Sequence, residues 1–203
     1  MSYFKKLNLP TNSFIDSKAI SDMDITRPYK IVEPGEVLTL EVLTIFNTIG
    51  LRPKMVVLHG RNDRQSSPEN RLIHSDLTFD PALERSWRNI VAGVNWEIEG
   101  SCTDFFWYDM GEIKECWPDK TAPAKEFNGV HYGERRQFGI PSTAKILDQT
   151  RIDGPTLVRT DIPHTTSYNN PSANRVGVSL RFFEEDYNFS WVGALEKFKS
   201  IIL

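Results

Sequence analysis

Two residues in a short apolar stretch have the types and the spacing of metal ligands. The stretch runs from Leu72 to Leu77, and within it His74 and Asp76 stand two residues apart. Side chains in a β-strand alternate between its two faces, so in a strand this imidazole and this carboxylate would project from the same side. They would supply two of the three ligands of the 2-His-1-carboxylate triad that holds Fe(II) in non-haem oxygenases. The third ligand must come from elsewhere in the chain.

Of the four histidines, His164 has the surroundings that best suit a third ligand. It precedes a polar turn around residues 169–173, and a β-branched run beginning at Arg175 follows that turn. This pattern predicts a hairpin, which would return Arg175 towards His164. An arginine beside a metal suits a dicarboxylate ligand, because a guanidinium binds a carboxylate through two hydrogen bonds. Arg181 would share the face of Arg175 but lies farther along, so it is the second choice.

The motif His74-x-Asp76, the distal His164 and an arginine eleven residues later resemble the Fe(II)- and 2-oxoglutarate-dependent dioxygenases. The resemblance covers residues 54–183. The tail of the chain looks like the phytanoyl-CoA dioxygenase and ectoine hydroxylase branch. In that branch a small hydroxyl residue two positions after the distal histidine and an arginine eleven positions after it hold the cosubstrate. Thr166 and Arg175 occupy those positions.

The resemblance implies a fold, a set of cofactors and a reaction. The fold would be mainly β, a cupin-like double-stranded β-helix (jelly roll) with flanking α-helices. His74, Asp76 and His164 would bind Fe(II), and 2-oxoglutarate would bind the metal with its far carboxylate on Arg175 and Thr166. O2 would complete the site, and a C–H bond would be hydroxylated with release of succinate and CO2. The carboxylate of Asp76 argues against the halogenating branch, in which a small residue replaces it.

Further residues are weaker candidates for the site. Asn95 is a polar residue in an otherwise apolar strand, which favours a hydrogen-bonding role and contact with the cosubstrate, with turn or edge placement as the alternative. Trp107, Tyr108, His131 and Arg135 are predicted to contact substrate. For the two aromatic residues the alternative is a place in the core, and for His131 it is a structural role. The basic residues around Arg135 would favour an anionic substrate.

The elements that position these residues are mostly short strands. The predicted strands are Tyr29–Val32, Lys54–His59, Arg71–Leu77, Ile90–Ile98, Thr103–Met110, Ala144–Leu147, Thr156–Arg159 and Arg175–Phe182. A helix is predicted from Pro34 to Gly50 and an amphipathic helix over Phe189–Leu203, because their apolar residues recur at spacings of three and four. Residues 111–141 show little periodicity and are predicted to form a long binding loop. Residues 1–27 are predicted to be an irregular arm. Together these elements predict a β-sandwich or barrel flanked by helices.

Length predicts a single domain over residues 1–203, since domains usually contain about 50 to 250 residues. Within it we expect an N-terminal arm and helix over residues 1–53, a jelly-roll core over residues 54–183 and a C-terminal helix over residues 184–203. The chain is long enough to bury a substantial core, and its composition is that of an ordinary globular protein.

The composition limits the kinds of partner that the protein is expected to bind. The net charge is −3, with acidic and basic residues interspersed, so no positive surface for nucleic acid is expected. No apolar run approaches the roughly 20 residues of a membrane-spanning helix, and no hydrophobic leader follows Met1. We therefore expect a cytoplasmic protein without a membrane partner. It would act on a small-molecule or peptide substrate as a monomer or a homodimer.

Two other functions remain open on the sequence. A cupin metalloenzyme of another chemistry, such as an isomerase or a dioxygenase that uses O2 alone, would share the fold. Such enzymes usually add further His or Glu ligands and do not require Arg175 and Thr166 at their positions. A non-catalytic jelly-roll binding module is the other alternative, in which His74 and Asp76 would merely satisfy each other.

Overall fold

The chain folds mainly into β-strands. The computed structural model describes residues 2–21, 30–60, 72–79, 88–99, 103–111, 125–127, 130–168, 176–182 and 190–203. The strands are β1 (Phe4–Lys6), β2 (Lys30–Val32), β3 (Pro53–Gly60), β4 (Leu72–Phe79), β5 (Arg88–Asn89), β6 (Ala92–Glu99), β7 (Thr103–Asp109), β8 (Lys125–Phe127), β9 (Val130–Phe138), β10 (Lys145–Ile152), β11 (Thr156–Arg159), β12 (His164–Tyr168) and β13 (Val176–Phe182). The helices are α1 (Ser17–Ser21), α2 (Pro34–Val37), α3 (Leu40–Thr48) and α4 (Trp191–Phe198), and a 3-10 turn follows at Lys199–Ile201. The predicted mainly-β class is confirmed.

The strands form two sheets in which every pairing is antiparallel. The first sheet has the order β1-β11-β6-β13-β3-β2. The second has the order β10-β7-β12-β4-β9-β8, and β5 pairs with β4 beside that order. Side chains of the two sheets meet, as where Val158 of β11 packs with Phe105 and Trp107 of β7. The architecture is therefore consistent with a β-sandwich.

Strand β13 lies inside the first sheet and is buried along its whole length. Its even-numbered residues belong to the largest hydrophobic cluster, together with residues of α3 and α4. Its odd-numbered residues, Gly177, Ser179 and Arg181, project from the other face because strand side chains alternate. That face is turned to the second sheet, since Arg181 contacts Asp76 of β4. We call it the inner face of the first sheet.

The helices cover the outer face of the first sheet. Phe46 of α3 is fully buried and makes edge-to-face contacts with Phe182 of β13, at 5.2 Å between ring centroids, and with Phe198 of α4, at 6.3 Å. Ser190 caps α4 by accepting a hydrogen bond from the backbone N–H of Gly193. No helix in the described ranges is long and apolar enough to cross a membrane.

The single helix predicted from Pro34 to Gly50 is wrong in one place, because the chain is extended at Leu38. There the backbone of Leu38 forms a β-bridge with Phe14, and the N–H of Thr39 donates to the carbonyl of Ser13. This tertiary pairing with the N-terminal arm divides the periodic segment into α2 and α3. The predicted end is correct: Gly50 follows α3 with a φ of 73°, a conformation that glycine adopts without strain.

The expectation of a structureless loop over residues 111–141 is wrong for β8 and β9. Strand β9 pairs with β4 from Leu72, opposite Phe138, to Phe79, opposite His131. Its sequence is mostly polar, so hydrophobic periodicity did not predict a strand there. The strand forms through backbone hydrogen bonds to β4, which do not depend on apolar side chains. The irregular arm predicted over residues 1–27 likewise contains β1 and α1.

Truncation of Phe46 tests the helical layer. Phe46→Ala should lower the free energy of unfolding by about 3–5 kcal/mol, because it removes a ring packed against both β13 and α4. Leu40→Ala in the same helix is the control, since Leu40 is 79% exposed, and its effect should stay within about 0.5 kcal/mol. Chemical denaturation measures both. Equal losses would contradict the assignment of the outer face as the main core.

Candidate metal centre

Backbone pairing brings the three predicted ligands together. His74 and Asp76 lie on β4, and His164 is the first residue of the neighbouring strand β12. His164 is the cross-strand partner of His74, and their ring centroids are 4.3 Å apart. Asp76 and His74 project from the same face of β4, as predicted from their spacing. This face is turned to the first sheet, since Asp76 contacts Arg181, and we call it the inner face of the second sheet. Two adjacent strands thus provide two imidazoles and one carboxylate.

The side chains converge closely enough to hold an ion. One potential ligand atom from each of His74, Asp76 and His164 lies within 4.8 Å of the other two. The Nε2 of His74 is 3.7 Å from the Oδ1 of Asp76. Asp76 and His164 are buried and His74 is half-buried, so the group sits inside the sandwich with one ring reaching towards solvent. It could hold a metal ion.

His164 is oriented for ligation by a hydrogen bond on its far side. Its Nδ1 lies 2.8 Å from the carbonyl oxygen of Ile162, so Nδ1 carries the proton and donates it, and Nε2 keeps its lone pair. A backbone carbonyl that fixes the tautomer in this way is a common outer partner of metal-binding histidines. Phe105 stacks on the ring, with 4.9 Å between centroids and 19° between planes.

Burial keeps His164 neutral. Burial lowers the pKa of His164 well below its usual range, and the nearby His74 acts in the same direction. The hydrogen bond to Ile162 opposes this lowering. Of two further charged residues, Arg181 lowers the pKa of His164 and Glu134 raises it. Neutral imidazole is the form that binds metal, so this ligand is ready at neutral pH.

The backbone of Asp76 is held on both sides. Its N–H donates to the carbonyl of Thr160 at 2.9 Å, and its own carbonyl accepts from the N–H of Ile90 at 2.8 Å. The hydroxyl of Thr160 in turn donates to the carbonyl of Ile90 at 2.6 Å. Thr160 directly follows β11 of the first sheet, so these bonds tie the ligand strand to the opposite sheet. The position of the Asp76 backbone is therefore well defined.

The side chain of Asp76 has a partner on the opposite sheet. Arg181 of β13 donates from Nη2 to Oδ2 of Asp76 at 2.5 Å, and both side chains are buried. From the sequence, Arg181 was a weaker candidate for the site than Arg175, and no partner was predicted for it. The alternation on β13 gave the correct face, but a contact across the sandwich has no signature in sequence spacing.

Glu134 is a buried acid that sequence reasoning missed. It lies on β9 directly opposite Asp76 and is 8% exposed. Directly paired residues of antiparallel strands project from the same face, so Glu134 shares the inner face with Asp76. The residue fell within the segment predicted to be a loop. An alternation pattern across β9 would have been needed to find it, and the polar sequence carries none.

The predicted cosubstrate residues fall into two places. Thr166 lies on β12 two residues after His164, so both share one face, and it is half-buried. Asn95 lies within β6, between β11 and β13, where its Oδ1 accepts a hydrogen bond from Ser179 at 2.6 Å. Asn95 therefore makes a hydrogen bond inside the sheet and does not lie at its edge, and its contact with a cosubstrate stays a prediction. Arg175 lies outside the described residues.

The two aromatic residues predicted to contact substrate are core residues. Trp107 is fully buried, donates from Nε1 to the carbonyl of Arg159 at 2.7 Å and stacks on Tyr3 at 5.9 Å. Tyr108 packs with Ile73 on the opposite face of the second sheet. Neighbouring strand residues point to opposite faces, so these two could not line one pocket. Their alternative reading, a place in the core, fits the packing.

The other two predicted substrate residues lie on β9. His131 pairs in register with Phe79, and Arg135 pairs with Ser75. The strand is thus adjacent to the ligand strand β4, but the side chains of His131 and Arg135 lie outside the described part of the chain. Their contact with substrate stays a prediction.

The fold and the site together define a β-sandwich protein with two histidines and one carboxylate converging between its sheets. No model of a known protein family matches the chain, and no curated protein is significantly similar to it in sequence. The donor set suits a divalent first-row transition metal. His164 supports the fit, because its Nδ1 donates to the carbonyl of Ile162 and its neutral Nε2 can then act as a ligand.

Removal of one ligand tests the centre without reference to any reaction. Co(II) should stabilise the wild-type protein against thermal unfolding by about 2.7 kcal/mol when the free ion is near 100 times Kd. It should not stabilise His74→Ala, which lacks one of the three ligands. His59→Ala is the matched control on β3 and should respond as wild type does. Melting each protein with and without Co(II) measures this. Equal stabilisation of both variants would mean that the ion binds elsewhere.

Proposed function

We propose that the chain is an Fe(II)- and 2-oxoglutarate-dependent oxygenase that hydroxylates a C–H bond of a small molecule or peptide. The observation that carries the proposal is the convergence of His74, Asp76 and His164. Two histidines and one carboxylate, with no further protein ligand in the group, are typical of non-haem Fe(II) oxygenases. Other cupin metalloenzymes usually add ligands, and none is found among the described residues.

Strand order supports the jelly roll that this proposal requires. Let the strands β3, β4, β6, β7, β10, β11, β12 and β13 be numbered one to eight along the chain. The first sheet then contains the order 1-8-3-6 and the second the order 2-7-4-5. Strand one pairs with eight, two with seven, three with six and four with five. A single long antiparallel ribbon rolled into two sheets has this pairing, which is that of a jelly roll.

The ligands' task is to hold the metal and leave part of it open. His74, Asp76 and His164 come from two neighbouring strands of one sheet, so they would bind an ion from one side. Fe(II) with 2-oxoglutarate and O2 supplies the oxidising chemistry, in which the cosubstrate becomes succinate and CO2 and one oxygen atom enters the C–H bond. The buried surroundings of Asp76 and His164 would keep water from that chemistry.

The inner face of β13 is suited to a cosubstrate. It carries a glycine at 177 and a serine at 179, whose hydroxyl is bonded to Asn95. The side chains at 177 and 179 are small, and the Ser179 hydroxyl and the Asn95 amide are groups that could hydrogen-bond to a short dicarboxylate. Arg175 immediately precedes β13, and in an extended chain its side chain would share this face. We propose that Arg175 and Thr166 bind the far carboxylate and that Asn95 contributes from the neighbouring strand.

Anaerobic spectroscopy tests the function. Addition of Fe(II) and then 2-oxoglutarate to the metal-free protein should give the visible charge-transfer band of the chelate. Air should then yield succinate, and a panel of amino acids, peptides and nucleosides should reveal the substrate class by stimulating succinate release. Asp76→Asn should abolish both signals, because a neutral amide is a poor replacement for the charged ligand.

Asp104→Asn provides the matched control for that experiment. Asp104 lies on β7 and pairs with Arg151 of β10 at 3.3 Å, away from the three ligands. The same substitution there should leave band and succinate at wild-type levels. A wild-type protein that binds Fe(II) but gives neither band nor succinate would overturn the oxygenase proposal and favour a metalloenzyme of another chemistry. Failure to bind Fe(II) would favour a binding module.

Arg175→Ala tests the cosubstrate site separately. The variant should raise the 2-oxoglutarate concentration for half-maximal band by about 10–100-fold, because a two-point ion pair with the far carboxylate is lost. Metal affinity should stay unchanged, since Arg175 is not a ligand. Arg151→Ala, which removes an exposed arginine, is the control. An unchanged 2-oxoglutarate titration for Arg175→Ala would remove this residue from the site.

A further inference from the structure

Asp76 and Arg181 form a charge pair that spans the two sheets in a nearly dry interior. Asp76 is fully buried and Arg181 is 5% exposed. Burying two charges costs several kcal/mol for each ion unless the geometry is good, and here Nη2 and Oδ2 are 2.5 Å apart. The contact uses Oδ2, whereas the distance of 3.7 Å to His74 is measured from Oδ1. The two oxygens of one carboxylate therefore have different neighbours.

Gly93 supplies the space in which the guanidinium lies. It is the cross-strand neighbour of Arg181 between β6 and β13. A Cβ atom on residue 93 would lie 2.9 Å from Cζ of Arg181 and closer still to Nη1. The φ of Gly93 is outside the left-handed region, so the backbone does not require glycine. The requirement is volume, and the guanidinium occupies that volume.

We propose that Arg181 is a positioning residue that holds Asp76 by one oxygen, so that the other oxygen faces the metal, and that Gly93 is needed because Arg181 crosses over it. The inference rests on the metal centre of the proposed function and not on its oxygenase reaction. The backbone of Asp76 is already held through Thr160 and Ile90. Arg181 fixes the remaining freedom, the rotation of the carboxylate. Asp76 is then arranged as a one-oxygen ligand before any ion arrives.

A competing effect makes the sign of the test informative. A cation close to the centre repels a divalent ion, so if Arg181 were only a neighbouring charge, its removal would tighten metal binding. If Arg181 positions the ligand, its removal leaves a buried carboxylate whose counter-charge is gone and whose orientation is no longer set. Metal binding should then weaken. Outer partners of metal ligands usually contribute about 10–100-fold to affinity.

Calorimetric titration with Co(II), without 2-oxoglutarate, distinguishes the two. Arg181→Gln should weaken Co(II) binding by about 10–100-fold. Arg181→Lys should recover part of the loss, because it keeps the charge but lacks the planar fork. Circular dichroism and thermal melting of the metal-free proteins establish that each variant is folded. Arg181→Lys carries the test if Arg181→Gln does not fold. Unchanged or tighter binding by a folded variant would overturn the inference.

Gly93→Ala tests the same unit from the other side. The new methyl group should displace the guanidinium and weaken Co(II) binding in the same direction, with a change in the visible spectrum of bound Co(II) that reports altered ligand geometry. Gly154→Ala is the matched control, because a Cβ there meets nothing within 4 Å, and it should leave affinity and spectrum as in wild type. A folded Gly93→Ala protein with wild-type affinity and spectrum would show that Arg181 does not need this space.

The outcomes separate this inference from the function on which it rests. Co(II) binding that is insensitive to Arg181 and Gly93 would overturn the positioning role alone. Binding that depends on both residues, without succinate formation by the Fe(II) protein, would overturn the oxygenase alone. Absence of Co(II) binding to the wild-type protein would overturn both, since no centre would remain to be positioned.

Discussion

The buried ion pair between Asp76 and Arg181 is a strong constraint on the structure around the candidate centre. It joins the two sheets at the candidate centre. Both charges are buried, so water does little to stabilise them and each depends on the other. Such a pair needs strands held in fixed relative positions. The antiparallel ladders of β4 and β13 and the backbone bonds of Asp76 to Thr160 and Ile90 provide that rigidity.

The polar centre is possible because the first sheet has its main hydrophobic core on its other side. The outer face of β13 packs under α3 and α4, where Phe46, Phe182 and Phe198 meet. Those contacts fix β13 without using its inner face, which is left to glycine, serine and arginine. A sandwich stabilised only by apolar packing between its sheets would have no room for such groups. Stability and the candidate chemistry therefore lie on opposite faces of one strand.

Local patterns predicted a good part of the fold and of the site. Strand alternation placed His74 and Asp76 on one face. The hairpin predicted after His164 is wrong, because β12 pairs with β4 and β7 in the second sheet whereas β13 pairs with β3 and β6 in the first. What failed depends on pairing between distant segments. Strand β9 is polar and exists through its bonds to β4, so Glu134 was missed. The β-bridge from Phe14 to Leu38 likewise overrides helical periodicity.

One error was avoidable from the sequence itself. Trp107 and Tyr108 are consecutive residues of a predicted strand, and alternation sends consecutive side chains to opposite faces, so at most one of them could have reached the site. The same rule applied to β13 puts Gly177, Ser179 and Arg181 on one face. Along the strand these residues carry no side chain, a hydroxyl and a guanidinium. The side chains of β13 on that face therefore increase in size towards Asp76. Because Arg181 fills the space over Gly93, any further ligand of the proposed metal would have to lie away from that residue.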